Sequence, residues 1–310
     1  MSVEIPFRRD IAFEYGRLEP VAPGLRRIVA RNPGPFTYKG TGTYVIGEGE
    51  VAVIDPGPDL DEHVAALLAG LGDERVTHIL VTHTHRDHSP AARALKAATG
   101  APSFGFGPHA GGKRGEPGVE EGGDWEFEPD IVVRDGDEIV GPGWRFEAVH
   151  TPGHTSNHLC FAWRDAGILF SGDHVMGWST SVVSPPDGDM AAYMASLEKL
   201  LDRADRVYWP THGPAIDEPR RHVRAFIAHR REREAGIVDC LRAGVERIEE
   251  IVDRLYRGLA PNLRGAAGRS VLAHLIDLTQ RGIVVADRAA TAEARYRLGH
   301  GHPPAPDRRS

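Results

Sequence analysis

Four side chains that ligate metal ions fall within six residues of this chain, in the run His83-Thr84-His85-Arg86-Asp87-His88. Imidazole nitrogen and carboxylate oxygen are donors that zinc accepts readily, with manganese or iron as alternatives. Without a cation, such a cluster would repel itself or bury unsatisfied polar atoms, so a metal site outweighs a chance grouping. His83 and His85 can face one ion, while Asp87 and His88 turn toward a second position a few ångströms away. The elements that must hold them are legible on either side. Val76 to Val81 has the β-branched, apolar character of a buried strand, and Ser89-Pro90 offers an N-cap followed by proline at the first helical position.

Further candidate ligands follow, each at the end of a strand-like run. Trp144 to Val149 leads into His150-Thr151-Pro152-Gly153-His154, Gly167 to Gly172 leads into Asp173, and Arg206 to Thr211 leads into His212-Gly213. Packing explains apolar strands but not polar residues at their tips, and in a layered α/β protein the loops along one sheet edge can converge on one site. Val51 to Ile54 ends in the same way, at Asp55-Pro56-Gly57, which also reads as a simple turn. The isolated histidines His63, His78, His109, His222 and His229 are expected to be structural.

This ordered set resembles the metallo-β-lactamase superfamily, over roughly Leu25 to Pro214. The resemblance implies that His83, His85 and His154 hold one zinc, that Asp87, His88 and His212 hold the other, and that Asp173 bridges them. Asp55 matches the family's first acidic motif and is expected to orient a ligand histidine. Two zinc ions per chain, with Mn2+ or Fe2+ as alternatives, would lower the pKa of a bridging water toward ~7. A hydrolase using that hydroxide follows, with Asp87 and Asp173 carrying the catalytic expectation. Gly42 and Thr211 stand where many relatives have Asn and Gly, and these departures are expected to alter substrate contacts only.

At 310 residues, with 41% hydrophobic content, the chain is long enough for more than one core. No apolar run approaches the ~20 residues of a membrane span. Met1 to Gly16 mixes Arg8 and Arg9 with Glu4, Asp10 and Glu14 and has no apolar core, which argues against an export signal. The two cysteines, Cys160 and Cys240, give no disulfide framework, so a cytoplasmic location without a membrane partner is expected.

Strand and helix alternate through the motifs, with helices expected at Asp61 to Leu71 and Met190 to Leu201, the latter entered through the turn-rich Ser184 to Asp189. Gly105 to Gly123 is glycine-rich and reads as a mobile loop near the site. The resemblance implies a four-layer αββα sandwich over residues 1–225. Charge then changes sign: residues 1–220 carry twenty basic and thirty-three acidic side chains, a net of −13, whereas 221–297 carry fifteen arginines and ten acids, a net of +5. Val245, Ile248, Val252, Leu255 and Leu259 repeat at helical spacing, Val271 to Ile276 marks another helix, and Gly282 to Val285 reads as a strand. Residues 226–297 are thus expected to form a small winged helix, resembling the group of β-lactamase-like protein 2, and 298–310 a disordered tail.

Reaction class is better determined than substrate. Single-stranded RNA is the leading expectation, because the group has endoribonuclease members and the C-terminal module is basic; the acidic catalytic region disfavours a polyanion. The alternative is a small acyl thioester or ester, as in the similar glutathione-thioester hydrolases and polyketide thioesterases. The module's helix around Arg269 to Gln280 has few basic residues, which favours packing over nucleic-acid contact. His158, Ser179, Thr180 and Tyr193 are the candidate substrate contacts, and a homo-oligomer is compatible with the sequence.

Overall fold

A computed structural model describes residues 4–111 and 122–299. Two β-sheets stack face to face. One has seven strands in sequence order, β1 Glu19–Ala22, β2 Leu25–Val29, β3 Gly42–Ile46, β4 Glu50–Ile54, β5 Arg75–Leu80, β6 Ser103–Gly105 and β7 Ile131–Val132. The other has five, in the order β12-β11-β10-β9-β8, from β8 Glu138–Gly141, β9 Trp144–His150, β10 Leu159–Trp163, β11 Ile168–Gly172 and β12 Val207–Pro210. Among the described residues six α-helices accompany them: α1 Asp61–Leu71, α2 Ala91–Thr99, α3 Met190–Leu201, α4 Pro219–Arg242, α5 Ile248–Leu255 and α6 Arg264–Gln280. A two-stranded ribbon, β13 Val284–Ala286 with β14 Tyr296–Leu298, closes the C-terminal part.

The period-2 alternation of strand side chains sorts the core into layers. Tyr44, Ile46, Ala52, Ile54 and Leu80 of the first sheet meet Phe146, Ala148, Leu159, Phe161 and Phe170 of the second. Their neighbours point the other way. Val45, Val51, Val53 and Ile79 pack under Leu67, Leu71 and Leu95 of α1 and α2. Val149, Cys160, Ala162 and Leu169 pack under α3 and the first half of α4, through Tyr193, Leu197, Val223 and Phe226. Burial on both faces makes the strands almost continuously apolar, and the outcome is the four-layer αββα sandwich.

Helix α4 serves two cores. Val223, Phe226 and Ile227 belong to the sandwich, while Ile237, Cys240 and Leu241 join α5, α6, β13 and β14 in a separate apolar cluster centred on Ile251, Val271, Leu275 and Tyr296. The expected division at 225/226 thus falls inside one continuous helix. The three helices and the ribbon form the winged-helix domain. Two expectations change in detail. Val245 and Leu259 flank α5 rather than belonging to it. Leu298 pairs with Val284 and the Gly299 amide donates to the Ile283 carbonyl at 2.9 Å, so the expected disordered tail is ordered at its start; its remainder, 300–310, lies outside the described residues, as do 112–121 of the glycine-rich loop.

Sheet direction decides where the strand tips gather. Strands β4 and β5 are parallel, β9 and β11 both run opposite to β10, and β12 is parallel to β11. The C-terminal ends of β9, β11 and β12 therefore share an edge. Cross-links bind that edge to the tips of the first sheet: the Leu159 amide donates to the Thr82 carbonyl at 2.7 Å, the Gly42 amide to the Thr211 carbonyl at 2.8 Å, and the Tyr44 hydroxyl to the Pro210 carbonyl at 2.6 Å.

Phe161 is fully buried between the sheets, whereas Val140 on β8 is 56% exposed. Phe161→Ala is expected to cost about 3–5 kcal/mol through the cavity it leaves, and Val140→Thr less than about 0.5 kcal/mol. Urea-denaturation midpoints check this; equal effects would contradict the assigned layers.

Candidate metal centre

The motif loop leaves β5 and is clamped at once. The end of the glycine-rich loop and the residue after it run beside it: the Arg86 amide donates to the Gly122 carbonyl at 2.9 Å and the Asp124 amide to the Thr84 carbonyl at 2.7 Å. The Ser89 hydroxyl donates to Asp124 Oδ2 at 2.8 Å. This overturns the expected cap. Pro90, already helical in φ and ψ, occupies the N-cap position of α2, and Ser89 holds the loop instead.

Seven donor side chains converge. His83 Nε2 and His154 Nε2 lie 3.0 and 3.2 Å from His85 Nδ1. Beside this trio, His212 Nε2 and His88 Nε2 lie 3.0 and 3.4 Å from Asp87 Oδ2. Asp173 Oδ2 sits between the two sets, 3.4 Å from His212 Nε2, 3.5 Å from His88 Nε2 and 3.9 Å from His154 Nε2. Three groupings have donor atoms close enough to share an ion: His83/His85/His154, Asp87/His88/His212, and His83/His88/Asp173.

Hydrogen bonds behind the rings aim the free nitrogens inward. His154 Nδ1 donates to the Val182 carbonyl at 2.7 Å, His212 Nδ1 to the Gly40 carbonyl at 3.2 Å, and His88 Nδ1 to Asp55 Oδ2 at 2.9 Å. A carbonyl or carboxylate oxygen only accepts, so each Nδ1 carries the proton and each Nε2 keeps its lone pair for the cluster. His88 Nε2 and Asp173 Oδ1 are buried with no hydrogen-bond partner among the described residues. Such atoms are costly unless something binds them, and a divalent cation fits this donor set.

The electrostatics divide the cluster. Burial, reinforced by neighbouring imidazoles, holds His83 and His85 well below the ordinary histidine pKa, as neutral donors. Burial opposes charge on His88 and His212 too, but Asp87 and Asp173 overcome it, raising His88 well above its usual value and His212 to about 10. Burial likewise opposes ionisation of Asp87 and Asp173, yet those two histidines hold both carboxyls below their usual range. The carboxylate end demands positive charge, which protons or a dication can supply.

Asp55 anchors the carboxylate end. Fully buried, it accepts the Thr82 amide on Oδ1 at 2.8 Å, and on Oδ2 the Thr82 hydroxyl at 2.8 Å, the Thr211 hydroxyl at 2.8 Å and His88 Nδ1. Its φ of 48° places it in the left-handed region, which Asp tolerates better than most residues. The expectation that Thr211 touches only substrate is corrected: its hydroxyl holds the carboxylate that holds His88. Gly42 is equally committed, since an added Cβ would lie 3.1 Å from the Thr211 carbonyl. Sequence reasoning missed Thr82 and Thr211 as supports. The available signal was a threonine immediately before a ligand-type histidine at both strand tips.

Two candidate substrate contacts are also corrected. His158 is fully buried, with Nδ1 against the Thr151 hydroxyl at 2.9 Å and Nε2 accepting the Asp173 amide at 3.2 Å, so it holds Asp173 rather than a ligand. The fit is close: Gly172 has φ +51°, and a Cβ there would lie 2.5 Å from His158 Nε2. Tyr193 is fully buried and donates its hydroxyl to the His174 carbonyl at 2.9 Å. Ser179 and Thr180 are half-buried and line a cavity between the sandwich and the winged helix. Of the histidines expected to be structural, His63 and His109 lie close behind the site, His63 Nε2 3.0 Å from the Thr43 hydroxyl and His109 Nδ1 3.0 Å from the Thr84 hydroxyl.

Comparison with known proteins agrees with this geometry. Residues 39–212 match the metallo-beta-lactamase superfamily, and residues 248–292 match the beta-lactamase associated winged helix domain. A beta-lactamase-like protein 2 homolog of Drosophila melanogaster is 33% identical, covering 86% of this chain and 91% of its own length. An atrochrysone carboxyl ACP thioesterase of Claviceps purpurea (strain 20.1) is 30% identical, covering 78% of this chain and 75% of its own. In three dimensions a metallo-beta-lactamase family protein from Thermus thermophilus superposes with a TM-score of 0.73 at 25% identity, over 90% of this chain and all of that one. With its two stacked sheets, its cluster of histidine and aspartate donors and its C-terminal winged helix, the chain belongs to the metallo-beta-lactamase superfamily and is a metal-dependent hydrolase.

Proposed function

We propose that the protein is a binuclear zinc hydrolase of small acyl thioesters or esters. The observation that carries the substrate class is the likeness, over three quarters of the chain, to a protein named as an acyl-carrier-protein thioesterase. The reading of single-stranded RNA as substrate leaned on the basic C-terminal module, and here the structure favours the alternative. Six of that module's arginines are paired with carboxylates, including Arg231 with Glu198, Arg264 with Asp253 and Arg281 with Glu234. Helix α6, the candidate recognition helix, buries Val271, Leu272, His274, Leu275 and Leu278. Its Ala273 joins the sandwich core, and Arg269 donates to the Pro185 carbonyl at 3.1 Å. That face packs inward and offers little to a phosphate backbone.

His83, His85 and His154 would hold one ion and Asp87, His88 and His212 the other, with Asp173 shared between them. Such a pair of dications supplies Lewis acidity toward a carbonyl oxygen and makes water acidic enough to act near neutral pH. The chain's own part is positional. Asp55 fixes the His88 ring, the carbonyls of Gly40 and Val182 fix His212 and His154, and His158 fixes the backbone of Asp173. Substrate access must then come from the open side of the loops, because the rear of every one of these rings is occupied by protein.

Elemental analysis of the purified protein is expected to find two divalent ions per chain, and His88→Ala to retain one while staying folded; a single ion in fully loaded wild type would contradict the two-ion reading. Thr211→Val removes one of the four hydrogen bonds to Asp55. It is expected to weaken metal binding at the Asp87/His88/His212 position by about 10–100-fold, read by competition with a chelator; unchanged affinity would show that Thr211 does not act through His88. Finally, metal-analysed protein should hydrolyse acyl-thioesters with little dependence on salt and leave single-stranded RNA intact, and Asp173→Ala should lower turnover by orders of magnitude. RNA cleavage without thioester turnover would return the assignment to a ribonuclease.

A further inference from the structure

The cavity between the sandwich and the winged helix has a volume of about 320 Å3 and is lined by the loop from Met176 to Val182, by Phe36, by Arg230 of α4 and by residues of the C-terminal domain, Tyr256 and Leu263 among them. It adjoins the metal centre through one residue: Val182, which lines it, also receives the His154 ring through its carbonyl. Arg230 is 4% exposed. Its guanidinium donates to the Ser181 carbonyl and to the Ser270 hydroxyl and lies over the Tyr193 ring, 5.2 Å from the centroid. Among the described residues no carboxylate lies within ion-pair distance of it, unlike Arg231 beside it, which pairs with Glu198. A buried guanidinium without an anion is expensive, and such groups are normally paired.

Among the described residues two buried donors at this cavity have no acceptor, Arg230 Nε and Trp178 Nε1, and both residues line it. The histidines near Arg230 add no positive charge to it. Burial first, then Arg230, hold His229 down to about 4 and His274 down to about 3. The rest of the lining is largely aromatic and aliphatic, with Arg9, His229 and the hydroxyls of Ser179, Thr180 and Ser270 among it. One guanidinium and one indole N–H match the two oxygens of a monoanionic carboxylate, and the apolar walls match a ring or short acyl body behind it. A phosphate dianion would call for less apolar wall than Phe36, Met176, Tyr256, Leu259 and Leu263 present here.

We infer that this interdomain cavity is a binding site for an organic carboxylate carried on an aromatic or short acyl body, with Arg230 and Trp178 as its recognition groups. In naming an anionic acyl group the inference rests on the acyl-hydrolase reading, but its test reads binding rather than turnover, so the two fail separately.

Calorimetric titration of the full chain with benzoate, with and without chelator, tests it. Saturable one-to-one binding is expected, unchanged by the chelator, since the site uses no metal ligand. Arg230→Met should weaken it by at least about tenfold, the scale of a lost charge-assisted hydrogen bond, and Trp178→Phe should weaken it while keeping the ring. Because Arg230 also joins the two domains, Ala266→Phe serves as the second variant: it fills the cavity from α6 without touching Arg230 and should abolish binding. The inference is overturned if wild type shows no saturable binding, or if chelator abolishes binding that Ala266→Phe leaves intact, which would place benzoate at the metal centre. Displacement of benzoate by inorganic phosphate at lower concentration would overturn the carboxylate assignment.

Discussion

The buried carboxylate of Asp55 is the interaction on which the site's architecture turns. It sits at the tip of β4, and its four hydrogen bonds reach Thr82 at the tip of β5, His88 in the motif loop and Thr211 at the tip of β12. One side chain therefore ties three strand ends from two different sheets to one histidine ring. A charge so deeply buried is tolerable only when its lone pairs are satisfied, and satisfying them requires that the sheets meet in this register. The left-handed backbone of Asp55 is the local strain that brings the carboxylate to this place.

From that anchor the cluster grades outward in charge. Histidines alone form one end, held neutral by burial, and carboxylates dominate the other, where they would draw protons onto His88 and His212 if no cation took that place. Asp173 Oδ2 lies between the two ends, 3.5 Å from His88 Nε2 and 3.9 Å from His154 Nε2, and is the carboxylate that divalent cations bound at either end would share. The backs of the His154 and His212 rings are finished with backbone carbonyls, which accept a hydrogen bond from Nδ1 without adding charge, whereas His88 is backed by the Asp55 carboxylate.

The winged helix is built into this arrangement rather than tethered beside it. A single helix, α4, contributes to both cores, and α6 places Ala273 in the sandwich and Ser270 against Arg230. Six of its arginines are paired with carboxylates within or across the domains, and Arg269 donates to a backbone carbonyl. A module packed this way closes against the catalytic domain, and the cavity lies at that junction.

The cluster of donor side chains was legible in the sequence because its chemistry is local: His83, His85, Asp87 and His88 lie within six residues, and His154, Asp173 and His212 each follow an apolar strand. The layers were legible for the same reason, since strands buried on both faces write themselves as apolar runs. What the sequence could not carry was any relation between distant residues. Thr211 and Gly42 looked like marginal departures, and only the meeting of β12 with the first sheet gives them a role at Asp55. His158 and Tyr193 looked available to a substrate until packing enclosed both. Ser89 was drawn away from its cap by Asp124, thirty-five residues on, and Arg230 was one arginine among fifteen until the two domains closed around it. Residue type and spacing determine which atoms can bind a metal; the tertiary structure decides which of them lose their water, and what must replace it.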